Sequence, residues 1–230
     1  MNVRVMLIVC LVLAVSPVYG EDKAEFPTPK DKLSYALGAD MANNMKKFEI
    51  DVNPDYYMKG MKDALSGGKT QLTEQEIKAV IMDMQKDLQA KQREKMKEQG
   101  AKNKKAGDAF LAENKKKSGV KALPDGLQYK IITEGKGKSP KSSDTVTVNY
   151  RGTLIDGTEF DSSYKRKEPV SFPVNGVIKG WTEALQMMKE GSKWELFIPA
   201  DLAYGENGRP GIPPNSVLIF EVELIKIGAK

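Results

Sequence analysis

The chain has no histidine and a single cysteine, Cys10. Without histidine there is no Ser-His-Asp or Cys-His catalysis, and a zinc site loses its commonest partner for cysteine. The polar chemistry that remains is carboxylate, lysine, tyrosine and hydroxyl. Cys10 lies in an N-terminal apolar run, so no disulfide framework can form and cysteine usage does not reveal the compartment. That run, Met6 to Val15, is too short to span a bilayer. The 230 residues allow one large or two modest domains. Hydrophobic residues make up 40%, enough for a core in part of the chain, and the 29% that are charged cluster unevenly, as on a solvated helix.

The first twenty residues read as a signal peptide. Arg4 supplies a positive start, the apolar run follows, and Val18-Tyr19-Gly20 ends on a small residue before Glu21. Val9 precedes Cys10, where a lipoprotein signal needs a small residue. Cleavage after Gly20 removes one charged residue, Arg4, and lowers the net charge from +5 to +4. Export follows, most simply to a bacterial periplasm, with outer-membrane association or secretion left open. No cofactor or metal is called for.

Residues 21–72 read as a leader and two helices. Glu21 to Lys30 carries Pro27 and Pro29, and Asp31 opens the first helix. Leu33, Leu37, Met41 and Met45 form one apolar stripe. Asn53-Pro54 is a cap with a first-turn proline, and Tyr57, Met61, Ala64 and Leu65 share a face. Thr73-Glu74-Gln75-Glu76 is a capping box that opens a long connecting helix over 73–119. Ile77, Ile81, Met84 and Leu88 make a short coiled-coil-like seam. Beyond Leu88 apolar residues thin out, and Gly100 and Gly107 read as the weakest points. Three short stripes are too little for a self-sufficient core. Pairing with a second copy through residues 31–90 is favoured over an intrachain hairpin with methionine as gap-filler. The basic run Lys102 to Lys117 has almost no aromatics and no groove-reading motif. It reads as a solvated linker and not a nucleic-acid contact.

From Leu123-Pro124-Asp125-Gly126 the pattern becomes strand-like. Leu127, Tyr129 and Ile131 alternate, as do Val146, Val148 and Tyr150. Asp156-Gly157 signals a hairpin. Val177-Ile178-Lys179-Gly180-Trp181 enters a short helix, and Leu218, Phe220, Val222 and Leu224 line a last strand. Many strands, close turns and one helix predict an α+β domain over 120–230, an antiparallel curved sheet wrapped on that helix.

Several residues of this domain are ones it could aim at one place: Tyr150, Phe160, Asp161, Val177, Ile178, Trp181, Tyr204, Ile212 and Phe220. Trp181 is either the floor of a cleft or simply the largest core residue. The set describes an apolar, aromatic-lined pocket with one carboxylate and two phenols, and without a nucleophile, metal ligand or phosphate loop. Few reactions need only that. Rotation about an X–Pro bond is one, because no covalent bond breaks. Its barrier of about 18–20 kcal/mol comes from amide resonance, and a dry pocket that fits the twisted, less polar amide lowers it.

Residues 123–228 closely resemble an FKBP-type peptidyl-prolyl cis–trans isomerase. The matching runs are Val148-Asn149-Tyr150-Arg151-Gly152, Asp156 to Ser163, Val177 to Trp181, Ala203-Tyr204-Gly205 and Pro213 to Leu224. Residues 31–120 resemble the helical N-terminal domain of the exported, dimeric Mip-like and FkpA-like members. The resemblance implies that Trp181 is a floor for the proline ring, walled by Tyr150, Phe160, Val177, Ile178 and Phe220. It implies that the Tyr204 hydroxyl and the Ile178 N–H bind substrate carbonyls. Asp161 would lie near the twisting amide, oriented by Arg166 and Tyr150; the plainer alternative is a loop carboxylate paired with Arg166. Proline-containing unfolded polypeptides are the implied substrates, and a macrolide the implied inhibitor.

Three departures stand out. Arg209 replaces the histidine common in small single-domain members and takes no proton-transfer role. The late loop is shorter, leaving Ile212 as its aliphatic. Val170 stands where an aromatic wall residue is common. Two other functions compete with the isomerase: a periplasmic holdase chaperone with secondary isomerase activity, and an interaction protein using the pocket as a static proline groove. Residues 120–230 are expected to fold alone.

Overall fold

The computed structural model describes residues 26–228. The signal peptide expected at 1–20 and Cys10 lie outside them. The chain divides into two compact units, one up to Thr73 and one from Glu74 onward.

In the first unit, helix α1 spans Pro29–Lys47 and α2 spans Pro54–Leu65. Helix α1 starts two residues before the expected Asp31. The Thr28 side chain accepts a hydrogen bond from the Asp31 N–H and Pro29 takes the first turn, so Thr28-Pro29 is a cap and not leader. In α2, Asn53 Oδ1 accepts from the N–H groups of Asp55 and Tyr56. The apolar stripe of α1 is uncovered in the single chain: Leu33, Leu37 and Met41 are 59%, 62% and 47% exposed.

The second unit opens with α3, Glu74–Asn114, 41 residues and roughly 60 Å long at 1.5 Å per residue. Ile77 and Ile81, from its expected seam, are also exposed. The strands follow: β1 (Val120–Ala122), β2 (Gln128–Thr133), β3 (Thr145–Leu154), β4 (Glu159–Ser162), β5 (Val170–Pro173), β6 (Lys193–Ile198) and β7 (Leu218–Ile227). Between them lie a single helical turn, α4 (Ser163–Arg166), and α5 (Lys179–Met187). All pairings are antiparallel, in the order β1-β2-β6-β7-β3-β4. Strand β5 takes the same edge of β3 as β4, pairing with residues 145–148 while β4 pairs with 151–153. The core lies between sheet and α5, where Trp181, Ala184 and Leu185 meet Val148, Leu196, Ile198 and Val222.

Phe197 is buried outside that core. Its ring meets Phe110 of α3, with centroids 6.0 Å apart. The second half of α3, expected to be a solvated connector, therefore docks on the sheet domain. Its buried residues are Gly100, Gly107 and Asn114, seven apart and so on one helix face. A Cβ on Gly107 would sit 2.7 Å from Val217 Cγ2. Asn103 Nδ2 donates to the Pro214 carbonyl at 2.7 Å, Asn114 Nδ2 to Gln128 Oε1 at 3.0 Å, and Gln128 Nε2 to the Leu111 carbonyl at 2.9 Å. The glycines read as weak points are where the helix approaches closest. The lysines of the run, such as Lys104 and Lys105, stay exposed on other faces. A fragment starting at 120 would thus uncover Phe197 and Val217.

Gly107→Ala should destabilise this unit. The added methyl gains up to about 1 kcal/mol of helix propensity, but forcing it against Val217 costs about 1–3 kcal/mol. A lowered urea midpoint at unchanged m-value is the expected outcome, and a raised midpoint would refute the docking.

Candidate active site

The site is built around α5. Gly180 opens the helix hard against β6: a Cβ there would meet Ile198 Cγ2 at 2.6 Å. That approach sets the next residue, Trp181, beneath the sheet, 4% exposed. Three rings stand edge-on around it: Tyr150 at 5.3 Å, Phe220 at 5.2 Å and Phe172 at 6.0 Å between centroids. Phe160 meets Phe220 edge-on at 5.4 Å. These two rings close over Gly152, where any Cβ would lie 2.7 Å from both. Tyr150 is not the last residue of its strand. Strand β3 runs on to Leu154, and Gly152 lets it pass beneath the aromatic pair.

A cavity of about 680 Å³ opens above Trp181. Of the residues expected there, Tyr150, Phe160, Asp161, Val177, Ile178, Trp181, Tyr204, Ile212 and Phe220 line it. Trp181 satisfies both readings of it, being a core residue whose face is also the cavity floor. Two expected residues are not in the lining. Arg166 stands behind Asp161. Val170 lies in β5 opposite Val148, and the aromatic of that strand is Phe172, two residues on. The aromatic wall that Val170 does not provide is supplied by Phe172. The period-two alternation of Val170-Ser171-Phe172 was the signal that could have found it. Arg209 and Pro210 also line the cavity.

Polar groups hold fixed positions at the rim. Asp156-Gly157 makes the expected turn, with Gly157 at φ +86° and the Asp156 carboxylate accepting from the Thr158 N–H. It returns the chain so that β4 places Asp161 beside Tyr150. The Tyr150 hydroxyl donates to Asp161 Oδ2 at 2.6 Å. Arg166 donates to Asp161 Oδ1 at 2.5 Å and to the Tyr150 hydroxyl at 2.6 Å. Burial alone would raise the Asp161 pKa, but the hydrogen bonds from Tyr150 and Arg166 outweigh it and hold the carboxyl below its usual range. Burial and the Asp161 hydrogen bond push the Tyr150 phenol up to about 12. Asp161 is therefore ionised and Tyr150 neutral at pH 7. Ile178 caps α5 with its carbonyl, which accepts from the Trp181 and Thr182 N–H groups. Its own N–H makes no hydrogen bond among the described residues. Arg209 Nη1 donates to the Tyr204 hydroxyl at 3.0 Å.

Residues 136–225 match the family model of the FKBP-type peptidyl-prolyl cis-trans isomerase, and residues 30–131 match that of the domain amino terminal to it. The Outer membrane protein MIP of Legionella longbeachae is 53% identical over 207 residues, which cover 90% of this chain and 89% of that protein. The chain belongs to the FKBP-type peptidyl-prolyl cis–trans isomerases. The Peptidyl-prolyl cis-trans isomerase Mip of Coxiella burnetii is 48% identical, covering 88% of this chain and 89% of that protein. Among solved structures, FkpA from Escherichia coli matches with a TM-score of 0.71 at 42% identity, covering 89% of this chain and 99% of that one. The α+β architecture expected from the sequence, helices followed by an antiparallel sheet on a short helix, is the one observed. The isomerase activity stands with it.

For this FKBP-type isomerase, neither Asp161 nor Tyr150 changes charge near neutrality. A depressed carboxylate keeps its charge above its folded pKa and loses it only as pH falls through that value. A raised phenol stays neutral until pH climbs through about 12. A kcat/KM flat from about pH 5 to 9 is expected, and a sigmoidal step near pH 6.5–7 in a protease-free isomerisation assay would contradict it.

Proposed function

We propose that the cavity above Trp181 binds the prolyl ring and stabilises the twisted X–Pro amide of exported polypeptides. The observation that carries this is an aromatic floor and walls with polar groups confined to the rim. The ring lies on Trp181, walled by Tyr150, Phe160, Val177, Ile178, Phe172 and Phe220, with Ile212 closing the late-loop side. The free Ile178 N–H and the Tyr204 hydroxyl bind carbonyls on either side of the bond. As the amide twists, resonance is lost, the carbonyl becomes less polar and the nitrogen pyramidal. An apolar cavity disfavours the planar, strongly dipolar amide relative to that state. Asp161, held by Arg166 and Tyr150, presents a fixed negative field to the carbonyl carbon and its twisting dipole. A macrolide that mimics the twisted amide binds the same place. Val170, on the same face of β5 as Phe172, packs on the core beside the cavity.

We further propose a homodimer through residues 31–90. The exposed Leu33, Leu37 and Met41, with Ile77 and Ile81, form apolar stripes that a second copy would cover. Export to the periplasm fits the N-terminal pattern, and among the described residues no helix is long and apolar enough to cross a membrane. In this reading the helical half makes the catalyst useful on proteins. Two linked pockets raise the effective concentration of the second site for a long client into roughly the mM range, while a tetrapeptide reaches only one.

Trp181→Ala should lower kcat/KM on a proline tetrapeptide at least tenfold and cost about 3–5 kcal/mol of stability. Asp161→Ala should lose activity with little change in unfolding midpoint, because the carboxylate sits at an accessible rim. Full turnover by the Asp161 variant would reduce it to a partner of Arg166.

A fragment of residues 96–230, which keeps the docked part of α3, should be monomeric. It should match the full chain on a tetrapeptide but trail it on a proline-limited refolding reaction, whose slow phase lasts tens of seconds or more. Equal performance on both substrates, or a full chain that sediments as a monomer, would sink the dimeric arrangement. Suppressed aggregation of a proline-free client by a Trp181→Ala protein would favour the holdase reading.

A further inference from the structure

We infer that Arg209 makes this isomerase selective for an acidic side chain immediately before the proline. The inference rests on the reading that the prolyl ring occupies the cavity above Trp181.

Arg209 is held in place from both ends. Its backbone opens the turn Arg209-Pro210-Gly211-Ile212, closed by Arg209 N–H to Ile212 carbonyl at 2.9 Å and Ile212 N–H to Arg209 carbonyl at 2.8 Å. Proline in the second position and Gly211 at φ +84° in the third are the residues a type II turn calls for. Ile212, 4% exposed, anchors the turn in the core. The guanidinium, though exposed, lies over the Tyr204 ring with its carbon 5.0 Å from the centroid, and Nη1 donates to the Tyr204 hydroxyl. Stacking and hydrogen bond together keep the charge at the mouth of the cavity.

That charge is uncompensated. The ionised residues lining the cavity are Asp161 and Arg209. Asp161 is already paired with Arg166. Among the described residues no carboxylate pairs with Arg209, and Glu206, on the same loop, does not line the cavity. The mouth therefore carries a net positive charge on the Tyr204 side. With the ring on Trp181 and the preceding carbonyl near the Tyr204 hydroxyl, the side chain of the preceding residue leaves the cavity past Arg209. A carboxylate there is attracted and an ammonium repelled. The preference rests on one rim side chain, Arg209, and is separable from the aromatic cavity beneath it.

The full-length protein is assayed on succinyl-Ala-Xaa-Pro-Phe peptides with Xaa as Glu, Gln or Lys. Glu and Gln are nearly isosteric, so the ratio of their kcat/KM values isolates charge. A Glu:Gln ratio of about five is expected at low ionic strength, the size of an exposed charge pair, with Lys below Gln. The ratio should shrink in about 0.5 M salt, where the screening length falls to several Å. Arg209→Gln should bring it close to one. Loss of the Tyr204 contact in that variant acts on all three peptides alike and cancels in the ratio. A wild-type ratio near one, or one that survives Arg209→Gln, overturns the inference. Trp181→Ala on the Gln peptide separates the two levels: reduced turnover keeps the cavity reading even if Arg209 fails, whereas unchanged turnover removes the cavity reading and this inference with it.

Discussion

The edge-on packing of Tyr150, Phe172 and Phe220 around Trp181 supports both the core and the cavity. An aromatic ring offers its partially positive edge to the negative face of a neighbour, and such pairs add about 0.5–1.5 kcal/mol beyond area burial. Three of them meet at one indole, from β3, β5 and β7. The strands that pair with β3 on its two edges therefore also locate the cavity floor. Two glycines make the geometry reachable. Gly180 brings α5 onto Ile198, and Gly152 makes room for Phe160 and Phe220. A methyl group at either position would push apart the elements that hold the rings.

Around this apolar centre the charges are arranged so that little is left to titrate. Asp161, Tyr150 and Arg166 satisfy one another within 2.6 Å. The carboxylate is lowered and the phenol raised, so the triad keeps one protonation state across the physiological range. That suits a reaction in which no proton moves and no bond breaks. A fixed electrostatic field needs no reorganisation as the amide twists. Arg209 stands apart from this balance, a cation held by Tyr204 with no acidic partner among the described residues.

The long helix contributes to the same unit in a way that apolar content does not reveal. Gly100, Gly107 and Asn114 form a face of small and polar residues on which the late loop and the sheet rest. Asn103 and Gly100 bond the Pro214-Asn215 segment, which continues from the turn that carries Arg209 and Ile212. Helix and cavity wall are thus covalently distant and physically adjacent.

Local chemistry was legible in the sequence wherever a few consecutive residues decide the backbone. The Asp156-Gly157 turn, the Asn53-Pro54 cap, the alternating strands and the short helix after Ile178 all follow from such short-range preferences. The aromatic residues of the cavity were legible too, through motifs that keep their spacing. Tertiary structure alone decided which side chains converge. Bulges between Gly152 and Thr153 and between Thr147 and Val148 shift register along β3, and a one-residue shift moves a side chain to the other face. Along β5 the register is unbroken, with Val170 opposite Val148 and Phe172 opposite Val146, and packing against Trp181 puts Phe172 in the cavity lining. Hydropathy marks a buried helix face only where apolar side chains fill it. The α3 face is buried through absent side chains and amide hydrogen bonds, so its glycines read as weak points in the sequence although Pro214 and Val217 pack against them.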